Sequence, residues 1–199
     1  MRIIKIISSI SFLSLLMLCS GLAKAQDIQF TQFYAAPLYL NPAFTGANVC
    51  SRAAANYRNQ WPGIKKAYTS YSFAFDHSLP KVNSGVGFLF TNDVAGSGNL
   101  RTTTFNGLYS YEAWLTRKVA LRAGLKAGGA VASIDFYKLT FGDQIARRNA
   151  PVTVEVPPNR SKFYFDISTG ILLYTKYFWV GSAFDHVTKP NQSLISGNS

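Results

Sequence analysis

Val119-Ala120-Leu121-Arg122-Ala123-Gly124-Leu125-Lys126-Ala127-Gly128 alternates without a break. Val119, Leu121, Ala123, Leu125 and Ala127 fall on one side, and Ala120, Arg122, Gly124, Lys126 and Gly128 on the other. A period of two is that of a strand, whose successive side chains point to opposite faces. Working outward, the same period predicts strands at 49–58, 68–77, 83–93, 100–113, 163–174 and 178–187, beside 119–133. Tyr71, Phe73 and Phe75 oppose Ser70, Ser72, Ala74 and Asp76. Phe163, Phe165, Ile167, Thr169, Ile171 and Leu173 oppose Tyr164, Asp166, Ser168 and Gly170. Val49, Ala53, Ala55 and Tyr57 oppose Arg52, Asn56 and Arg58.

Such alternation fits two architectures. A soluble sandwich turns its apolar faces inward. A membrane barrel turns them to lipid and keeps its polar face for the lumen. Connection lengths favour the barrel, because longer segments (59–67, 94–99, 134–162) alternate with short turns (78–82, 115–118, 175–176), as short periplasmic turns alternate with outer loops. Aromatics near strand ends (Tyr57, Tyr68, Trp114, Tyr174, Phe178, Trp179) fit an interface girdle. The expected fold is therefore an all-β, antiparallel transmembrane β-barrel of the outer membrane. Single-chain bacterial barrels have even strand counts. The odd count, and the turn-like end Ser196-Gly197-Asn198-Ser199, make this chain an expected N-terminal fragment of a larger barrel.

Composition agrees. The 199 residues are 48% hydrophobic and only 15% charged, which excludes a disordered chain. Phe (15), Tyr (11) and Gly (15) are common, as strands and turns require. Residues 1–25 have the form of a signal peptide: basic Arg2 and Lys5, an apolar run from Ile6 to Leu18, and a cleavage site at Ala23-Lys24-Ala25. Large Leu18 before Cys19 argues against a lipoprotein. Removing Arg2, Lys5 and Lys24 lowers the net charge from +11 to +8. It also leaves Cys50 alone, so no intrachain disulfide is expected. Domains are expected at 1–25 (signal), 26–47 (periplasmic N-terminal segment) and 48–199 (barrel).

Several segments break the alternation. Residues 26–46 carry Phe30, Phe33, Tyr34, Tyr39 and Phe44, which cost free energy in water, and Pro37 and Pro42, which disfavour a strand. The segment tucks into the barrel base or docks on a partner. Trp61, before Pro62-Gly63, sits on a turn. Leu139-Thr140-Phe141-Gly142-Asp143-Gln144 interrupts the long 134–162 segment. Gly96 and Gly98 do not complete a nucleotide-binding fingerprint.

Chemistry has little support. Ala-Phe-Asp-His occurs twice, at 74–77 and 183–186, but neighbours on a strand point to opposite faces, so neither Asp orients its own His. No Cys and His cluster has metal-ligand spacing, so no metal or cofactor is expected. Asp76, Glu112 and Asp166 share the lumen face with Arg52, Arg122 and Lys126, where salt bridging is the simple account. Lys65, Lys66, Arg147, Arg148, Arg160 and Lys162 lie in expected outer loops and suit anionic lipid head groups or an acidic protein. An exported chain is not expected to meet nucleic acid.

The opening of the mature chain, Gln26-Asp27-Ile28-Gln29-Phe30-Thr31-Gln32-Phe33-Tyr34-Ala35-Ala36-Pro37-Leu38-Tyr39-Leu40-Asn41-Pro42-Ala43-Phe44-Thr45-Gly46, resembles that of the PorP/SprF family. These are outer-membrane proteins of the type IX secretion and gliding machinery of Bacteroidetes. Tyr57-Arg58-Asn59-Gln60-Trp61-Pro62-Gly63 is similar to the family's next hallmark. Thr91-Asn92-Asp93-Val94-Ala95-Gly96, Leu100-Arg101-Thr102-Thr103 and Lys138-Leu139-Thr140-Phe141-Gly142-Asp143-Gln144 follow in family order. The resemblance implies an outer-membrane barrel that helps secrete or anchor a large surface protein or adhesin. It implies periplasmic and lipoprotein partners of the same machine, and no enzyme. Partner contacts are expected at Phe33, Tyr34, Pro37, Asn41 and Pro42 on one side, and at Trp61, Pro62, Phe141 and Asp143 on the other. A porin-like channel, motivated by the polar lumen, and a lipid-acting barrel enzyme, motivated by His77, His186 and the lumen carboxylates, are the alternatives.

Overall fold

A computed structural model describes residues 30, 32–64, 68–96, 99–135, 139, 142–146 and 161–189. Strands β1 (Arg52–Gln60), β2 (Tyr68–Leu79), β3 (Ser84–Ala95), β4 (Leu100–Thr116), β5 (Val119–Ser133), β6 (Ser161–Thr175) and β7 (Trp179–Phe184) form one antiparallel sheet in sequence order. The sheet curls into a half-barrel. Each strand overlaps one predicted from the two-residue period. The β3–β4 turn is shorter than expected: β3 runs on to Ala95, leaving only residues 96–99, no more than the 80–83 turn.

The register turns the alternation into rows across the sheet. On the convex face, Phe73, Phe90, Phe105 and Phe165 line up through direct pairings, with Gly129 between the last two. Below runs Ala53, Phe75, Phe88, Gly107, Ala127 and Ile167. Phe88 is within ring contact of Phe73, Phe75 and Phe105 (centroids 5.8, 6.0 and 6.0 Å). Between the row through Tyr57 and Tyr71 and the row through Leu121 and Val180, no described convex position is Asp, Glu, Lys or Arg. Above that belt comes a polar rim of Asn59, Thr69, Arg101, Ser133 and Ser161, with Val94 among them. From Phe163 to Leu173, ten residues of strand span about 34 Å, which a typical barrel tilt projects to about 25 Å, the height of a lipid-facing band. Among the described residues, no helix is long and apolar enough to cross a membrane.

The concave face carries the small and polar set. At the end of the 80–83, 117–118 and 176–178 turns it is filled by the chain's own beginning. Residues 33–46 form three short helical turns, Phe33–Ala35, Pro37–Leu40 and Pro42–Phe44, which lie inside the curl. Leu38 is buried against Ala74, Leu89 and Leu108, with Tyr39 and Phe44 beside them. Residues 36–46 of the expected periplasmic segment are thus packed in the half-barrel, where Leu38, Tyr39 and Phe44 find cover that water does not offer.

Four girdle expectations also change, the first at Tyr68, which shares the concave face of Ser70 and Asp76. Trp114, Ala120, Tyr174 and Trp179 pair in one row, and that row shares the face of Arg122 and Gly124. Trp114, Tyr174 and Trp179 therefore rim the inner mouth and do not face lipid. The convex face instead has tyrosines near both ends of its belt, Tyr57 and Tyr71 above, Tyr109 and Tyr111 below.

Candidate functional site

The seat of the N-terminal segment is built from paired glycines. Gly124 and Gly170 are direct partners across β5 and β6. A Cβ on Gly124 would meet the backbone of Pro42 and Ala43, and one on Gly170 would meet the Asn41 side chain. Their bare backbones let the segment lie against the sheet. Gly46, where the segment turns out to β1, has φ +63° and stands so close to Gly85 that a Cβ would lie 2.6 Å from its Cα. Only glycine meets both demands.

Polar side chains then fasten it. Asn41 donates to the carbonyls of Ile171 (3.2 Å) and Ser182 (3.1 Å), while its Oδ1 accepts from the Ala43 N–H (2.8 Å). The Thr45 carbonyl accepts from Ser110 Oγ (2.6 Å) and from the Arg122 guanidinium (3.2 Å), and Arg122 also pairs with Glu112. Asp76 is 1% exposed and accepts from the Gly46 N–H (2.7 Å) and Arg52 Nε (2.9 Å). Arg52 also donates to the Phe44 carbonyl (3.3 Å), and Asn56 to that of Ala35 (3.3 Å). Phe44 meets Trp179 edge-on at 5.4 Å. Asp76→Asn leaves Arg52 without its counter-charge. Arg52 keeps some solvent, so the expected loss is about 2 kcal/mol, below the range for a fully buried pair. A lowered temperature for the shift in heat-modifiable gel migration would show it.

Above the segment the concavity stays open. A cavity of about 140 Å³ is lined by Tyr39, Thr91, Asp93, Lys126, Tyr164 and Asp166, among others. Lys126 pairs with Asp185 (2.8 Å) and stands 5.9 Å over the Tyr39 ring. His186 Nδ1 lies 2.7 Å from Asp166, and His77 Nδ1 lies 2.8 Å from Ser51 Oγ. The two Asp of the repeated tetrapeptide, Asp76 and Asp185, each hold a cation of another strand.

The residues singled out from sequence therefore part company. Arg52, Arg122, Lys126 and Asp166 share the concave face. Asn41 and Pro42, expected at a partner surface, are buried inside the chain, because their seat is glycine and backbone. Pro37 is half-buried, whereas Phe33 and Tyr34 are 60% and 70% exposed. Trp61 is 56% exposed, has φ +57° and meets Tyr68 edge-on at 5.6 Å. A bulky residue in the left-handed region is strained and uncommon. Pro62 beside it is exposed. Phe141, Ala23 and Ala25 lie outside the described residues, as does the side chain of Asp143, whose backbone is in the helical turn Gly142–Ala146. Sequence reasoning missed Asp185, Thr45 and the Gly124–Gly170 seat. Glycines on the polar side of two strands were the available signal.

A convex apolar belt as tall as a bilayer core, around a polar concave face filled at one end by its own N-terminal segment, defines an integral membrane protein of the β-barrel class. Residues 22–199 match the family described as type IX secretion system membrane protein PorP/SprF. The chain belongs to that family, as its opening and its Trp61 turn imply. No curated protein and no solved structure matches it.

Proposed function

We propose that this chain is an outer-membrane component of the type IX secretion machinery that works by binding, without a catalytic role. Its partners would be periplasmic and lipoprotein subunits of the machine and a large secreted surface protein. The packed segment Phe33–Gly46 carries this reading, because a fastened segment that fills one end of the concavity opposes free diffusion. It speaks against the porin-like alternative. The exposed Trp61-Pro62 turn at one end, and Phe33 and Tyr34 on the segment, supply surface for partners. Rigid aromatic residues are frequent interface anchors.

The test combines a variant with a conductance record. Trp61→Ala with Tyr34→Ala is expected to lower co-purification of machine subunits by tenfold or more, on the order of 2 kcal/mol for a lost aromatic anchor. Surface-protein export is expected to fall with it. The purified wild-type chain in planar bilayers is expected to stay silent. Unchanged export in the double variant would remove these residues from the site. Steady wild-type conductance would restore the channel reading.

A further inference from the structure

The three short turns at the filled end carry Lys81, Arg117, Lys118 and Lys176 and no acidic residue. All four cations are exposed, and among the described residues none has a carboxylate within ion-pair distance. Asp76 and Glu112, on the strands that lead to these turns, are already committed to Arg52 and Arg122.

Two of these turns adjoin at the ends of paired strands. Val119 pairs with Thr175 at the ends of β5 and β6, and Lys118 and Lys176 are the next residues along, each in its own turn. Arg117 adjoins Lys118. Like charges on adjoining turns repel, and an anion between them relieves the repulsion. Apolar groups surround the cations. Tyr177 and Phe178 are exposed beside Lys176, whose Nζ stands 5.7 Å over the Tyr177 ring. The belt ends at Leu121, Leu173 and Val180, one or two residues from the basic turns.

We propose that the β4–β5 and β6–β7 turns bind the head group of an anionic phospholipid. Its phosphate lies between Lys118 and Lys176, and its acyl chains run along Leu121, Leu173 and Val180. The charge complementarity selects an anionic head group. The apolar path leading away from it selects a lipid over a free anion. The proposal rests on the membrane reading above and adds the lipid class and its place.

The experiment is native mass spectrometry of the full chain from a non-ionic detergent, titrated with phosphatidylglycerol or phosphatidylcholine. Phosphatidylglycerol is expected to bind more tightly. Lys118→Gln and Lys176→Gln should each weaken it about fivefold, the worth of one basic residue near an anionic surface. The charge-keeping pair Lys118→Arg with Lys176→Arg should retain it, and Arg101→Gln on the polar rim should leave it unchanged. Equal binding of the two lipids overturns the proposal. So does indifference to Lys118→Gln with Lys176→Gln, or full displacement of the lipid by inorganic phosphate. A chain that inserts into bilayers yet shows no lipid preference would sink this site and leave the membrane reading standing.

Discussion

Gly124→Val will drive the N-terminal segment out of the half-barrel. The first added carbon would fall on the backbone of Pro42 and Ala43. Backbone cannot swing aside as a long side chain does, so the segment must lift. Lifting it breaks the Asn41 bonds to Ile171 and Ser182 and the bonds to Thr45, and exposes Leu38. Overpacking costs about 1–3 kcal/mol, and occasionally more. Each fastening lost with it adds about 1 kcal/mol, so a total above about 3 kcal/mol is expected. Residues 26–51 contain no Lys or Arg but have several aromatics, so chymotrypsin is the suitable probe. Cleavage after Tyr39 and Phe44, both packed against the core, should become fast in Gly124→Val and stay slow in the wild type. Gly107→Ala is the control, since a Cβ there meets nothing nearer than an atom at 3.8 Å. Equal protection of both variants would mean that Gly124 does not seat the segment.

The second large effect belongs to the convex face. Phe88 lies midway along β3 and touches three other rings. Phe88→Arg puts a charge near the middle of the belt, where lipid-facing arginine costs about 2–4 kcal/mol. Lost ring contacts add about 0.5–1.5 kcal/mol each. Asn59→Arg on the polar rim should cost no more than about 1 kcal/mol. Folding into vesicles, followed by the fluorescence of Trp61, Trp114 and Trp179, separates the two. If Phe88→Arg inserted as readily as Asn59→Arg, the belt would not face lipid.

Residue 88 also shows what was legible beforehand. Its face follows from a period of two, which needs no partner strand, so both faces of the sheet could be read from the chain. Trp114 and Trp179 were harder. An aromatic near a strand end looks alike on either face, and only the register through Ala120 and Tyr174 puts them at the inner mouth. The site was least legible. Gly124 and Gly170 are 46 positions apart, and nothing local says that they face each other. Asn41 looked like a surface residue because its partners are backbone carbonyls, which leave no mark in a sequence. Lys126 was expected among lumen acids, but its partner, Asp185, became visible only with the fold.

Asn41 reaches Ser182, 141 residues downstream. A residue synthesised and exported early is therefore completed by one made late. Closing so long a loop is slow, because its entropy is lost before the contact forms. The meander itself needs only neighbouring hairpins, so β1 to β5 can assemble while the beginning of the chain is still loose. The Asn41 bonds wait for β6 and β7. Hydrogen exchange during refolding should find the strand amides protected early and that of Ala43, held by the Asn41 side chain, late. Seating of the segment thus acts as a checkpoint on assembly: it is complete only after the last described strand has docked.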